Sequence, residues 1–281
     1  MEGAGRSRAR SIPEMQLVNC LLDAFVSHLP PNPVTHPRTN DGFRLRGAEM
    51  TRIETFTDAA FAFALTLLVV SLAPPTSLVA MQAALRDVPA FVLSAALLMM
   101  FWWGHHQWSR RFGLDDAPTV VLSCALVATV LVYVYPLRFM FGLMMSWIGG
   151  MTGLPLGSGA LRIAALTDIN RMFVIYGFGF VAMCLALLLL NLHAWRRRDA
   201  LELDAVERHL LRAELGAWTI IAGTGLLSVL VGLLVPARWV GAPGWAYMVL
   251  PIAMPLFGRA SARGRARLEA APAADLGVEA T

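Results

Sequence analysis

Lysine is absent from this chain: all 23 basic residues are arginine. Acids are also few, 19 in 281 residues, and charged residues make up only 15% of the chain, against about 25% in soluble domains. Hydrophobic residues reach 57% and the mean hydropathy is +0.60, which excludes a soluble globular protein. The three cysteines have no spacing that argues for a disulfide or a metal site. Cys124 and Cys184 fall in apolar runs, where cysteine acts as a small filler, and Cys20 precedes them all. No Walker loop, dinucleotide fingerprint or nucleophile elbow is present, so nothing points to an enzyme. The filter loop Thr-Val-Gly-Tyr-Gly is missing, which excludes selectivity by that ring of carbonyls. No span carries arginine at every third position, so voltage sensing has no support. Absence of lysine beside abundant Ala, Arg and Gly suggests a GC-rich bacterial genome.

What the chain does have is long apolar runs. A membrane crossing takes about 20 apolar residues, and six stretches qualify: 55–73, 88–106, 118–137, 172–193, 213–235 and 239–257. Pro243, Pro251 and Pro255 interrupt the last, which neighbouring helices make tolerable. With the N-terminus inside, 18 arginines fall on the cytoplasmic side and five (Arg86, Arg138, Arg162, Arg171, Arg238) outside, so the positive-inside rule places both termini in the cytoplasm. The excess of arginine, net charge +4, reads as topology and contact with anionic lipid headgroups, not as nucleic-acid binding. Arg196, Arg197 and Arg198 anchor the inner end of the fourth span.

The chain divides into an extension (1–47), a six-span body (48–257) and a tail (258–281) expected to be disordered. In the extension, Ile12, Met15, Val18, Leu22 and Phe25 fit one helix face, ahead of a Pro-rich stretch. It is an interfacial helix on a linker, or lies upstream of a translation start at Met50; removing 1–47 is expected to be harmless on either reading. Asp168 and Asn170 read as an N-terminal cap. Trp108 reads as part of an interfacial aromatic belt.

The first span holds the residues that need explaining. Asp58 lies at the mouth of a membrane helix, where a carboxylate is costly unless paired or hydrated. Around it runs Arg52-Ile-Glu-Thr-Phe56-Thr57-Asp58, with Thr66 eight positions further on. Phe63, Leu67 and Val70 form a stripe at helical spacing, which periodicity alone assigns to helix packing. The second span ends Trp102-Trp103-Gly104-His105-His106. A metal site on this His pair lacks Cys or carboxylate help.

This pattern resembles the transmembrane protein 175 family, endosomal and lysosomal potassium channels with bacterial relatives. In that family the first helix opens with Arg, three residues, Phe-Ser-Asp, and then Thr eight positions after the Asp; here Thr57 replaces the Ser. The resemblance implies an all-α membrane fold of six transmembrane helices. It further implies a homotetramer in the bacterial plasma membrane, potassium as the permeant ion, no cofactor, and a pore formed by the first helix of each subunit. It makes Phe63, Leu67 and Val70 the constriction and Thr66 its support, the hydroxyl bonding either a neighbouring first helix or its own preceding turn. It makes Arg52, Phe56, Thr57, Asp58, Trp103 and His106 a signature network. Antiparallel first and second helices put His106 at about the depth of Asp58, so the two are expected to pair. On the residues alone Arg52 is a simple anchor, and Glu54 its partner or a cation attractor. The competing readings are a secondary transporter, which would show paired helix breaks and midplane charge, and a non-conducting protein of the same fold.

Overall fold

The computed structural model describes residues 38–39, 42–47, 49–71, 74–157, 166–236, 238–239 and 241–270, all within the unit that begins at Pro37. The apolar pattern of residues 12–25, Cys20, and residues 271–281 lie outside the described residues.

The described chain is helical: α1 Arg52–Val70, α2 Leu78–Arg86, α3 Val88–Phe112, α4 Ala117–Thr152, α5 Leu166–Arg196, α6 Ala205–Leu234, α7 Ala242–Trp245, a 3-10 turn Ala246–Val249, and α8 Leu250–Ala270. Five of these, α1, α3, α4, α5 and α6, are long and apolar enough to cross a membrane, and the chain is an all-helical multi-pass membrane protein. Polar caps set their ends. Thr51 accepts from the Glu54 N–H ahead of α1 at 3.2 Å, and Asp116 accepts from the Thr119 N–H ahead of α4 at 3.2 Å. Asp204 and Glu207 form a reciprocal capping box on α6. Gly113 closes α3 with φ +58°, a conformation a side chain disfavours, and an added Cβ would also meet the Arg46 backbone at 3.0 Å.

Several sequence expectations shift. The third span is a helix of 36 residues, about 54 Å long, and Pro136 lies inside it without ending it. α5 begins before Asp168, which therefore sits in its first turn beside Arg171 (3.7 Å), not at the cap. The short α2, unexpected from hydropathy, is capped by Ser77 and tied to the loop beyond α4 by a bond from the Gly157 N–H to the Arg86 carbonyl at 2.9 Å.

The sixth apolar stretch is not one regular helix. Prolines cannot donate to the helix ladder, and the segment is split into α7, the 3-10 turn and α8, with Pro251 and Pro255 in α8. It nonetheless runs antiparallel along α6: Pro243 faces Gly232, Phe257 faces Gly216, and Gly264 faces His209. α8 then continues through the supposed tail to Ala270. Alanine and arginine are strong helix formers, and His209 Nε2 donates to the Ser261 carbonyl at 2.9 Å, docking this extension on α6.

Residues 38–39 and 42–47 move the boundary of the extension. Phe43 is wholly buried, its ring edge-on to Phe112 at 5.4 Å. The N–H groups of Arg46 and Gly47 donate to the carbonyls of Arg111 and Arg110 at 3.4 and 3.1 Å, satisfying the open end of α3. This segment belongs to the folded body.

Candidate functional site

α1 packs on α3 and α4 through one face, Glu54, Thr57, Phe61, Ala64 and Leu68, all buried. That spacing of three and four residues is one side of a helix. On the other side Phe56, Ala59, Phe63, Thr66 and Val70 are exposed in the subunit, Phe63 by 57% and Val70 by 74%. Both faces are apolar, so hydrophobicity could not distinguish them; only the fold shows which is covered. Leu67 lies at the flank, half-buried against the core. The Thr66 hydroxyl donates to the Phe63 carbonyl at 2.7 Å, in its own preceding turn.

At the start of α1 the polar groups form a different network from the one expected. Asp58 Oδ1 accepts from the Trp102 indole Nε1 at 2.7 Å, so its partner is Trp102 and not His106. His106 stacks on Trp102 at 5.3 Å and places Nδ1 3.6 Å from Glu54 Oε1. Glu54 is buried on the packed face of α1, off the exposed stripe. Trp103 points outward, 54% exposed. Adjacent residues on a helix diverge by about 100°, so only one of two neighbouring tryptophans faces α1, and spacing alone cannot select it. The Thr57 hydroxyl, fully buried, donates to the Ile53 carbonyl at 2.8 Å. Arg52 and Phe56 are exposed and do not join this cluster.

Behind the network His105 Nε2 hydrogen-bonds Ser123 Oγ at 2.9 Å, linking α3 to α4. Trp108 is buried between His105 and Phe112, so it serves the core, not an aromatic belt. Among the described residues no group of three His, Cys, Asp or Glu side chains could hold a metal ion.

Ion pairs gather where α1, α4 and α6 begin and α3 and α5 end. His193 Nε2 donates to Asp116 Oδ2 at 2.8 Å and Arg197 approaches it at 3.3 Å. Burial opposes ionisation of Asp116, but bonds from Thr119 and His193 outweigh it and its pKa is lowered. Glu207, with no exposed surface on its side chain, accepts from Arg44 Nη2 at 3.0 Å, Arg46 Nη2 at 2.9 Å and the Arg44 N–H at 2.9 Å. The carboxylate raises the pKa of Arg44 above its ordinary value. Sequence reading missed this clamp because its halves are 161 residues apart or more.

Comparison with known proteins bears on this arrangement. The model of the family "Endosomal/lysosomal potassium channel TMEM175" matches residues 52–136, from the start of α1 well into α4. A "Potassium channel" of Marivirga tractuosa is 32% identical over 234 residues, 82% of this chain and 94% of the relative. The crystal structure of a variant of the potassium channel MtTMEM175, with a nanobody-MBP fusion, superposes with a TM-score of 0.70 at 30% identity, over 81% of this chain and all of that one. A lysosomal potassium-selective channel TMEM175 homolog from Chamaesiphon minutus shares the fold alone, at TM-score 0.50 and 20% identity, over 75% of this chain and 96% of that one. The chain belongs to the TMEM175 family.

Proposed function

We propose that this protein is a potassium channel of the cell membrane, a homotetramer whose α1 helices surround the ion path. The observation that carries this reading is the exposed stripe Phe56, Ala59, Phe63, Thr66 and Val70. It lies on the family-matched helix, opposite a face already packed into its own subunit. One narrow helix cannot enclose a pore, so the uncovered face requires copies of itself. Phe63 and Val70 are the narrow points, Leu67 flanks them, and Thr66 supports the wall. A hydrophobic constriction gates by excluding water.

The alternating course of the helices supports six crossings with both termini cytoplasmic. The ion-paired end carries most of the arginines and is the cytoplasmic one. The sixth crossing is the segment of α7, the 3-10 turn and α8 that runs the length of α6. A secondary transporter would need a second matching helix break and charge at the midplane; the break at Ala246–Val249 supplies only the first.

The test is flux from liposomes holding the purified protein, with its mass measured in detergent. Potassium is expected to leave faster than sodium, from a particle of four subunits. Flux coupled to a proton gradient and saturating at low substrate would instead identify a transporter. Absence of flux in the wild type and in a widened constriction would identify a non-conducting relative.

A further inference from the structure

One exposed face of α8 changes character within a single turn. Ile252, Leu256, Arg259, Arg263 and Arg267 fall within about 80° around the helix at ~100° per residue, and all five are exposed. The first two are apolar and the last three basic. Among the described elements α8 packs on α6 and on the 3-10 turn and on no other, while α1 packs on α3 and α4. Copies meeting through α1 therefore leave α8 at the outside of the assembly. Across the antiparallel pair Phe257 faces Gly216 and Gly264 faces His209, which sets Arg259 level with Glu214. Glu214 accepts from Arg111 Nη1 at 2.9 Å in the last turn of α3, so Arg259 lies where the bundle leaves the hydrocarbon. At 1.5 Å per residue Arg263 and Arg267 lie about 6 and 12 Å further out, and the headgroup layer of one leaflet is about 5–7 Å thick. Arg44, Arg46, Arg197 and Arg208 at this end are each held by an acid. No ion pair or side-chain hydrogen bond reaches Arg259, Arg263 or Arg267 among the described residues, so the stripe carries three uncompensated positive charges.

We propose that Arg259, Arg263 and Arg267 bind the headgroups of anionic phospholipids in the cytoplasmic leaflet. Arg259 and Arg263 reach the phosphates, which the planar guanidinium fork suits, and Arg267 adds its charge from just beyond them. Continuity names the occupant: the bilayer that covers Ile252 and Leu256 ends in its headgroups at Arg259. A soluble acidic peptide would have to displace lipid already in place. The inference rests on the membrane orientation given above and not on conduction.

The test reconstitutes the full-length protein in vesicles of equimolar phosphatidylglycerol and phosphatidylcholine, extracts it in mild detergent, and quantifies the lipid that stays bound. Wild type is expected to retain phosphatidylglycerol in preference. Each basic side chain at an anionic surface is worth a factor of about five, so Arg259→Gln and Arg263→Gln are each expected to reduce that preference about fivefold, while Arg259→Lys and Arg263→Lys keep it. Arg267→Gln is expected to reduce it only about twofold, because Arg267 stands off the headgroups by most of a ~8 Å Debye length. Arg208→Gln removes an equal charge that Asp199 already neutralises, and is expected to change nothing. No enrichment in the wild type, or an equal loss in Arg208→Gln, would overturn the site. Unchanged lipid retention in Arg259→Gln and Arg263→Gln, with loss of binding to soluble polyglutamate, would assign the stripe to an acidic peptide and overturn the lipid. Ion flux is not read, so a failure of the channel reading leaves this result interpretable.

Discussion

Replacing Glu207 with Gln is expected to lower the melting temperature of the detergent-purified protein sharply, while Asp199→Asn barely moves it. The Glu207 carboxylate has no exposed side-chain surface and is held by both Arg44 and Arg46. A neutral amide in its place would leave both guanidinium groups without the carboxylate that bridges them, and breaking such a buried arrangement costs about 3–5 kcal/mol. Asp199 also pairs with two arginines, Arg198 and Arg208, but its side chain is 70% exposed. Pairs of that kind contribute about 0–1 kcal/mol. The same geometry reverses the expectation that residues 1–47 are dispensable: removing 38–47 would uncover Glu207, Phe112 and the last carbonyls of α3 together. Equal melting of Glu207→Gln and wild type would show that the clamp is ornamental.

Phe63→Ala is expected to increase potassium flux and weaken discrimination against sodium, without destabilising the subunit. In the proposed tetramer, four rings at one level would occupy more of the pore than aliphatic chains, and an apolar constriction of that kind excludes water. Lowering the resulting barrier by only about 1.4 kcal/mol raises flux tenfold. Because Phe63 is 57% exposed within the subunit, its truncation removes little core packing. Phe61, two residues away and 2% exposed, is the contrast: Phe61→Ala is expected to cost about 3–5 kcal/mol of stability. Unchanged flux in a folded, assembled Phe63→Ala protein would remove Phe63 from the ion path.

Five crossings were legible because each is a long apolar run, and hydropathy reports length and composition well. It reports nothing about polar segments that pack. Phe43, Arg44 and Arg46 lie in a stretch with neither apolar length nor period; Phe43 is buried against Phe112, and the half-buried arginines close on a single acid at the start of α6. The sixth stretch was visible as apolar, but its three prolines hid how the backbone would bend. In the site, the motif located Asp58 on the correct helix but paired it with His106, one helical turn beyond the ring that holds it. The geometry selects Trp102, four residues before His106, because that ring lies on the side of α3 facing α1. Glu54 misled for the same reason: charge suggested solvent, whereas the helix phase of Glu54, Thr57, Phe61, Ala64 and Leu68 turns it inward.

The most direct measurement of the claim that the exposed stripe of α1 lines the ion path is block by a water-soluble thiol reagent. With Cys20, Cys124 and Cys184 replaced by Ser, single cysteines are introduced as Phe63→Cys, Thr66→Cys and Val70→Cys, and as Ala64→Cys and Leu68→Cys on the packed face. The reagent is expected to stop potassium flux in the first three and to leave the other two unaffected. Flux that persists after confirmed labelling of Phe63→Cys, Thr66→Cys and Val70→Cys, or block at Ala64→Cys and Leu68→Cys instead, would contradict that claim.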